Sequence, residues 1–274
     1  MAKLPQKNEI QKAVQDFITA KKLSKNDLAK KLGISPATLS LLETGKWDSL
    51  SSEMLIKIWT YVKPSSWQLI PTANFNSVFS CCEDARKRHR LVAVIGSEGL
   101  GKTKALEYYY RTHPNTYYVL YSEFDSIRDF IGLICKEMSI QYLGKPGEMI
   151  RLIADELNSK ARPLLIIDEA DKMNNKAFML IHVLRNATME NAGIVLAGVE
   201  FLKENLEKQV LRKKRGMAEF YSRIASWQPL QRPTRQEIKE ICLQNGLADM
   251  DIIKSFYQVP HYRLLEEKIK NQIP

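Results

Sequence analysis

Eight consecutive residues, Gly96-Ser97-Glu98-Gly99-Leu100-Gly101-Lys102-Thr103, set the narrowest bound on this fold. Leu91-Val92-Ala93-Val94-Ile95 precedes them and reads as a buried strand, while Lys104 to Arg111 continues with helical spacing. A strand, a glycine-rich turn and a helix in that order point successive backbone N–H groups inward and aim the positive end of a helix at the same spot. Such a concavity suits phosphate oxygens. Gly96 to Lys104 are therefore the candidate nucleotide-binding residues. Lys102 is spaced to reach the β and γ phosphates, and the Thr103 hydroxyl to ligate Mg²⁺.

A second element supports the first. Leu164-Leu165-Ile166-Ile167-Asp168-Glu169 is an apolar strand ending in two acids, the pattern of a Walker B sequence. Asp168 would hold the Mg²⁺ of bound ATP, and Glu169 would orient and polarise an attacking water. Two solvated acids at a strand end are common, so the pair gains its meaning from the glycine turn upstream.

The rest of the chain arranges itself around these motifs. Residues 1–62 carry helical periodicity, with apolar positions at Ile10, Val14, Phe17, Leu28, Leu32, Leu39 and Leu42. Residues 63–74 hold two prolines and several hydroxyl side chains and read as a linker. Strand and helix then alternate over 75–228, with strands expected at 91–95, 116–121, 163–167, 193–197 and 226–230. That alternation predicts a three-layer α/β domain around a parallel sheet. Residues 229–274 read as a helical lid, opened by a Thr234/Glu237 capping box.

Within residues 1–62, Asp27 to Lys46 has the form of a helix-turn-helix: Gly33 supplies the turn, Ser35 caps the second helix and Pro36 starts it. The groove-facing positions offer only the hydroxyls of Thr38 and Ser40, too few donors and acceptors for strong base readout. Lys30, Lys31 and Lys46 would supply phosphate contacts. A packing module that does not bind DNA is the alternative. Arg212, Lys213, Lys214 and Arg215, beside Lys208, form a second basic run that would line a DNA channel or simply end a solvated helix.

Charge agrees with a polyanionic partner: 41 Lys plus Arg against 31 Asp plus Glu leave a formal net charge of +10. No apolar run nears the roughly 20 residues that span a bilayer. Met1 to Glu9 shows no export signal, so a cytoplasmic protein is expected. Cys81, Cys82, Cys135 and Cys242 lack metal-binding spacing and read as reduced thiols.

The glycine motif, the Asp168-Glu169 pair and the lid together resemble the AAA+ superfamily. Ile167 to Met173, Leu184-Arg185-Asn186 and Ile194 to Gly198, joined to an N-terminal helix-turn-helix, are most similar to the target-selector ATPases of transposition, the Mu B group. That resemblance implies a homo-oligomer, filament or ring, assembled on double-stranded DNA under ATP control, and a transposase partner. It also implies that Arg223 reaches a neighbouring copy's γ-phosphate, with Arg212 and Arg215 as alternatives, and that Arg263 is the lid's sensor arginine. One departure stands out: Val199 occupies the place where relatives commonly offer a polar side chain to the γ-phosphate, so either Glu200 substitutes or that sensor is missing. A helix-turn-helix transcription regulator and a helicase loader remain the competing functional readings.

Overall fold

A computed structural model describes residues 7–21, 23–46, 49–62, 70–141 and 144–272 of the chain. Most of the expected linker, 63–69, lies outside the described residues.

The N-terminal part comprises helices α1 (Lys7–Lys21), α2 (Lys25–Leu32), α3 (Pro36–Glu43) and α4 (Ser52–Val62). Helix α2 opens with a Ser24/Asp27 capping box and ends at Gly33, whose φ of 61° is the left-handed conformation a β-carbon resists. Ser35 then accepts from the Thr38 amide and Pro36 starts α3, so the chain turns sharply between the two helices. Ile10, Val14, Leu28, Leu39 and Ile58 close a core among these helices.

From α5 (Ala73–Arg88) onward, strand and helix alternate. The order is β1 (Leu91–Ile95), α6 (Lys102–Thr112), β2 (Thr116–Leu120), α7 (Ile127–Glu137), α8 (Pro146–Ser159), β3 (Leu164–Asp168), a 3₁₀ turn (Ala170–Lys172), α9 (Asn175–Thr188) and β4 (Gly193–Gly198). Then come α10 (Phe201–Leu211), α11 (Met217–Ser222), β5 (Ile224–Pro229), α12 (Arg235–Gln244), α13 (Met250–Ser255) and α14 (Tyr262–Lys270). Each strand falls within two residues of its expected position. All pairings are parallel, in the order β2-β3-β4-β1-β5.

The strands β1, β3 and β4 are buried along their whole length, as continuous apolar runs covered on both faces must be. One face packs against α7 to α11, through residues such as Phe130, Ile153, Phe178 and Phe220. The other packs against α5 and α6, through Val78, Cys82, Leu106 and Tyr109. Helix α5 lies so close to β4 that a β-carbon on Gly193 would stand 2.4 Å from the Ala85 carbonyl oxygen. Helices α12 to α14 close a small core of their own around Ile238, Ile253 and Leu265.

The helix-turn-helix part sits on the ATP-motif layer. Helix α1 packs against α6, and Tyr110 of α6 is buried in the core of the N-terminal helices. Phe17 lies edge-on to both Tyr61 and Tyr110, at 5.6 and 6.3 Å between ring centres. The Tyr61 and Tyr110 hydroxyls are 3.2 Å apart. Lys31, only 6% exposed, forms an ion pair of 3.1 Å with Glu137, 12% exposed, at the end of α7. Its ammonium also donates to the Glu137 carbonyl, and that of Lys30 to the Ser139 carbonyl.

This corrects the expectation for Lys31. Its charge is neutralised inside the molecule and is not displayed to a phosphate backbone, because α2 turns this face toward α7. Breaking a buried pair leaves the surviving charge uncompensated, at a cost of about 3–5 kcal/mol. Lys31→Ala should therefore loosen the N-terminal helices, seen as faster proteolytic release of that segment. A Lys31→Met, Glu137→Leu double variant should restore protection, and equal protection of Lys31→Ala and wild type would refute the role.

Candidate active site

The site forms at the carboxyl ends of the strands, where parallel α/β sheets open a crevice. The turn after β1 needs glycine at two places: φ is 75° at Gly99 and 90° at Gly101, which caps α6. A cleft of about 590 Å³ opens above it, lined by Glu98 to Ala105, by Asp168, Glu169 and Asp171, and by Tyr262 and Arg263 of the lid. Ile70, Phe75 and Leu265 make one wall apolar. Phosphate-binding backbone at one end and an apolar wall at the other match the two ends of a nucleotide.

Lys102 folds over the turn: its ammonium donates to the Ser97 carbonyl at 3.0 Å and to that of Gly96. Burial lowers its pKa from the usual lysine value, against the opposing pull of Asp168, Glu200, Asp171 and Glu98. Gly96 and Ser97 thus hold the lysine in place. Lys104 lines it from the first turn of α6.

Asp168 is the centre of the polar network. It is 1% exposed, and its Oδ2 accepts from Thr103 at 2.7 Å and from the Tyr118 hydroxyl at 2.8 Å. Its Oδ1 accepts from the Glu169 amide at 2.8 Å. The Tyr118 phenol is pushed far above the ordinary tyrosine range, first by burial and then by the Asp168 charge, so it stays a donor. Glu169 adopts a left-handed φ of 56°, and its carboxylate is held by Lys172 at 2.5 Å. Thr103 and Asp168 place two hard oxygens side by side, a donor set that suits Mg²⁺ completed by phosphate and water oxygens.

Beyond β4, the Val199 amide donates to Asp171 Oδ1 at 3.1 Å, and Gly198 lies so close to Asp171 that a β-carbon would be 2.6 Å from the same oxygen. Glu200 accepts from the Ser97 hydroxyl at 3.2 Å, which brings its carboxylate to the rim of the phosphate turn.

Comparison with known proteins agrees with this geometry. A family model described as "AAA domain" matches residues 85–206, and one described as "Helix-turn-helix domain" matches residues 1–61. Over 253 residues the chain is 23% identical to the Mu-like prophage FluMu DNA transposition protein B of Haemophilus influenzae, covering 88% of this chain and 87% of that protein. Its fold is similar to that of the Aeropyrum pernix ORC2 protein, with a TM-score of 0.54 at 13% identity, over 76% of this chain and 71% of the other. The chain carries an AAA domain and a helix-turn-helix domain and is similar to a Mu-like prophage transposition protein B.

The fold brings some expected residues together and separates others. Lys102, Thr103, Asp168, Glu169 and Arg263 share the cleft. Arg263 belongs to α14: its amide donates to the Gly99 carbonyl at 3.3 Å, and its guanidinium lies 3.4 Å from Glu98. Arg223 is exposed and immediately precedes β5. Because Leu91 pairs with Ile224 and Ile95 with Pro229, Arg223 stands at the amino-terminal end of the strands, opposite the phosphate turn. Five residues of strand separate the two ends by about 16 Å. Arg212, Lys213, Lys214 and Arg215 are exposed in the turn between α10 and α11.

In the helix-turn-helix, the Thr38 hydroxyl lies 3.0 Å from the Ser35 hydroxyl, and Ser40 donates to the Pro36 carbonyl. Lys46 is exposed. No helix among the described residues is long and apolar enough to cross a membrane.

Three contributors escaped sequence reasoning. Tyr118 read only as part of an expected strand. Asp171 read only as part of the run after Asp168-Glu169. Asn74, 5% exposed, joins helix α5 to the Leu100 and Gln231 carbonyls and so ties the phosphate turn to the start of the lid. The close approach of the lid makes Gly99 a test of this arrangement. A β-carbon there would lie 2.8 Å from His261 Nδ1 and 3.1 Å from the Arg263 β-carbon, in a conformation costing about 1–3 kcal/mol for other residues. Gly99→Ala should weaken binding of a fluorescent ATP analogue by roughly tenfold or more, and unchanged affinity would count against lid closure onto this turn.

Proposed function

We propose that this ATPase assembles on double-stranded DNA when it holds ATP, with little sequence preference, and in that form supports DNA transposition by marking target DNA for a transposase. The observation that carries this reading is the separation of the cleft from Arg223. One copy holds the phosphate-binding half of a site at one end of its strands and an exposed arginine at the other. A chain of copies stacked cleft to arginine completes every site but the last.

Within the cleft, the amides of Gly99 to Thr103 and the Lys102 ammonium hold the phosphates. Thr103 and Asp168 hold Mg²⁺, which when bound offsets charge on the phosphate oxygens. Glu169, released from Lys172, orients the attacking water, and Arg223 of a neighbouring copy stabilises the transition state. Hydrolysis removes the terminal phosphate that the neighbour's arginine grips, so turnover loosens the assembly. The name of the FluMu protein supports the link to transposition. The helix-turn-helix match and the net charge of +10 support DNA as the partner.

Weak sequence preference follows from α3, whose two groove-facing hydroxyls are occupied by local partners. Contacts from Lys46 and the 212–215 run are to phosphate in this reading and make binding strongly salt-dependent.

Electron microscopy with long duplex DNA tests the proposal: ordered assemblies are expected with ATP and none with ADP. Lys102→Ala should abolish nucleotide-dependent DNA binding. Glu169→Gln should hold ATP, remain on DNA and lose turnover by about 10²–10⁴-fold. A wild-type protein that stays monomeric on DNA with saturating ATP and Mg²⁺ would sink the reading.

A further inference from the structure

The helix pair that carries Arg223 also presents a second arginine. Helices α9 and α11 pack through a ladder of rings: Phe178 lies 5.4 Å from Phe220, and His182 lies 6.1 Å from the same ring. One turn further along, α9 carries Arg185 and α11 is followed by Arg223. Helical spacing puts each cation on the face of its helix that carries the rings.

The Arg185 guanidinium is unusual in its surroundings. Its Nε and Nη1 are shut off from solvent, and neither has a hydrogen-bond partner among the described residues. Its charged form is disfavoured first by burial and then by Arg223. No carboxylate among the described residues forms an ion pair with either arginine. Glu207, on the adjoining helix α10, is taken up by the Tyr221 hydroxyl at 2.8 Å and by Lys203 at 3.8 Å.

Leaving buried donors unpaired is costly, and more so for a charged group. The nearby charge of Arg223 adds repulsion. An anion that accepts from both removes both penalties, and a phosphate oxygen suits the planar donor fork of arginine. The position of the pair, at the end of the strands opposite its own cleft, rules out the chain's own nucleotide as the source.

We infer that Arg185 and Arg223 together form a two-arginine seat for the terminal phosphate of a nucleotide held by a second copy of this chain. The inference deepens the proposed assembly and rests on it. Arg223 reaches the phosphate from the exposed rim. Arg185 receives it from below and sets the approach of Arg223 by repelling it outward until the anion arrives. The unpaired cations make this face a poor contact until a charged nucleotide is offered, so the seat favours assembly with ATP over assembly with an empty copy.

Mixing defective copies tests this directly. Arg185→Ala should bind a fluorescent ATP analogue as wild type does, because its cleft is untouched, yet lose DNA-stimulated turnover by about a hundredfold. Arg185→Lys keeps the charge without the fork and should recover only part of it. Lys102→Ala, with an intact seat and a disabled cleft, should restore turnover when mixed with Arg185→Ala. In that mixture a sound cleft meets a sound seat at some junctions.

Wild-type turnover in Arg185→Ala alongside a dead Arg223→Ala would overturn the seat while leaving the assembly proposal intact. Turnover lost in Arg185→Ala but not recovered on mixing would place Arg185 inside its own copy and overturn the inference. Full turnover in Arg223→Ala as well would remove the trans-arginine reading itself.

Discussion

A single buried carboxylate holds this molecule's working parts together. Asp168 has almost no solvent exposure, and an unpaired charge so placed would be costly. Three donors satisfy it: Thr103 from the start of α6, Tyr118 from β2 and the Glu169 amide from the turn after β3. The phosphate turn, the edge of the sheet and the acidic turn thus share one acceptor. Any cation that binds Asp168 has to displace or share those donors, so occupancy of the site is felt in all three elements.

Helix α6 carries that influence away from the cleft. Its first residues are Lys102 and Thr103, and its last turns place Tyr110 in the core of the N-terminal helices. Tyr118 makes the same connection by a second route, with its hydroxyl on Asp168 and its ring 5.9 Å from that of Tyr110. The helix-turn-helix is therefore fastened to the nucleotide-binding layer by packed aromatic rings and by the Lys31–Glu137 pair. Helix α3 keeps Pro36, Ala37 and Ser40 exposed. The α2 side thus makes the docking contact, and the α3 side stays exposed.

The glycine turn and its cleft were legible from sequence because their geometry is local. A glycine at φ 75°, another at 90° and a Lys-Thr pair are demanded by eight consecutive residues, and an apolar run ending in Asp168-Glu169 marks a strand terminus without help from the rest of the chain. The sheet was legible for a similar reason, since doubly covered parallel strands are continuous apolar runs. Pairings across distance were not legible. Lys31 has the composition of a DNA contact and the environment of an internal strut, a difference made by Glu137, 106 residues away. Tyr118 read as an ordinary strand residue and Asn74 as the end of a linker until folding set them beside Asp168 and Leu100. Arg185 belongs with Arg223 only because α9 and α11 align their rings.

At the end of β4, an apolar side chain in place of a polar one shifts the electrostatic burden elsewhere. Val199 contributes only its amide, and that amide is already committed to Asp171. Gly198 admits no side chain beside that carboxylate. The nearest titratable group on this segment, Glu200, is negative and hydrogen-bonded to Ser97, so it repels a phosphate where a neutral donor would attract one. Positive charge at the terminal phosphate must then come from Lys102, from the lid's Arg263 and, in the proposed assembly, from outside the copy. With its own strand contributing none, the cleft of the proposed assembly would depend more heavily on the arginines of a neighbour, and an isolated copy is expected to hydrolyse ATP poorly.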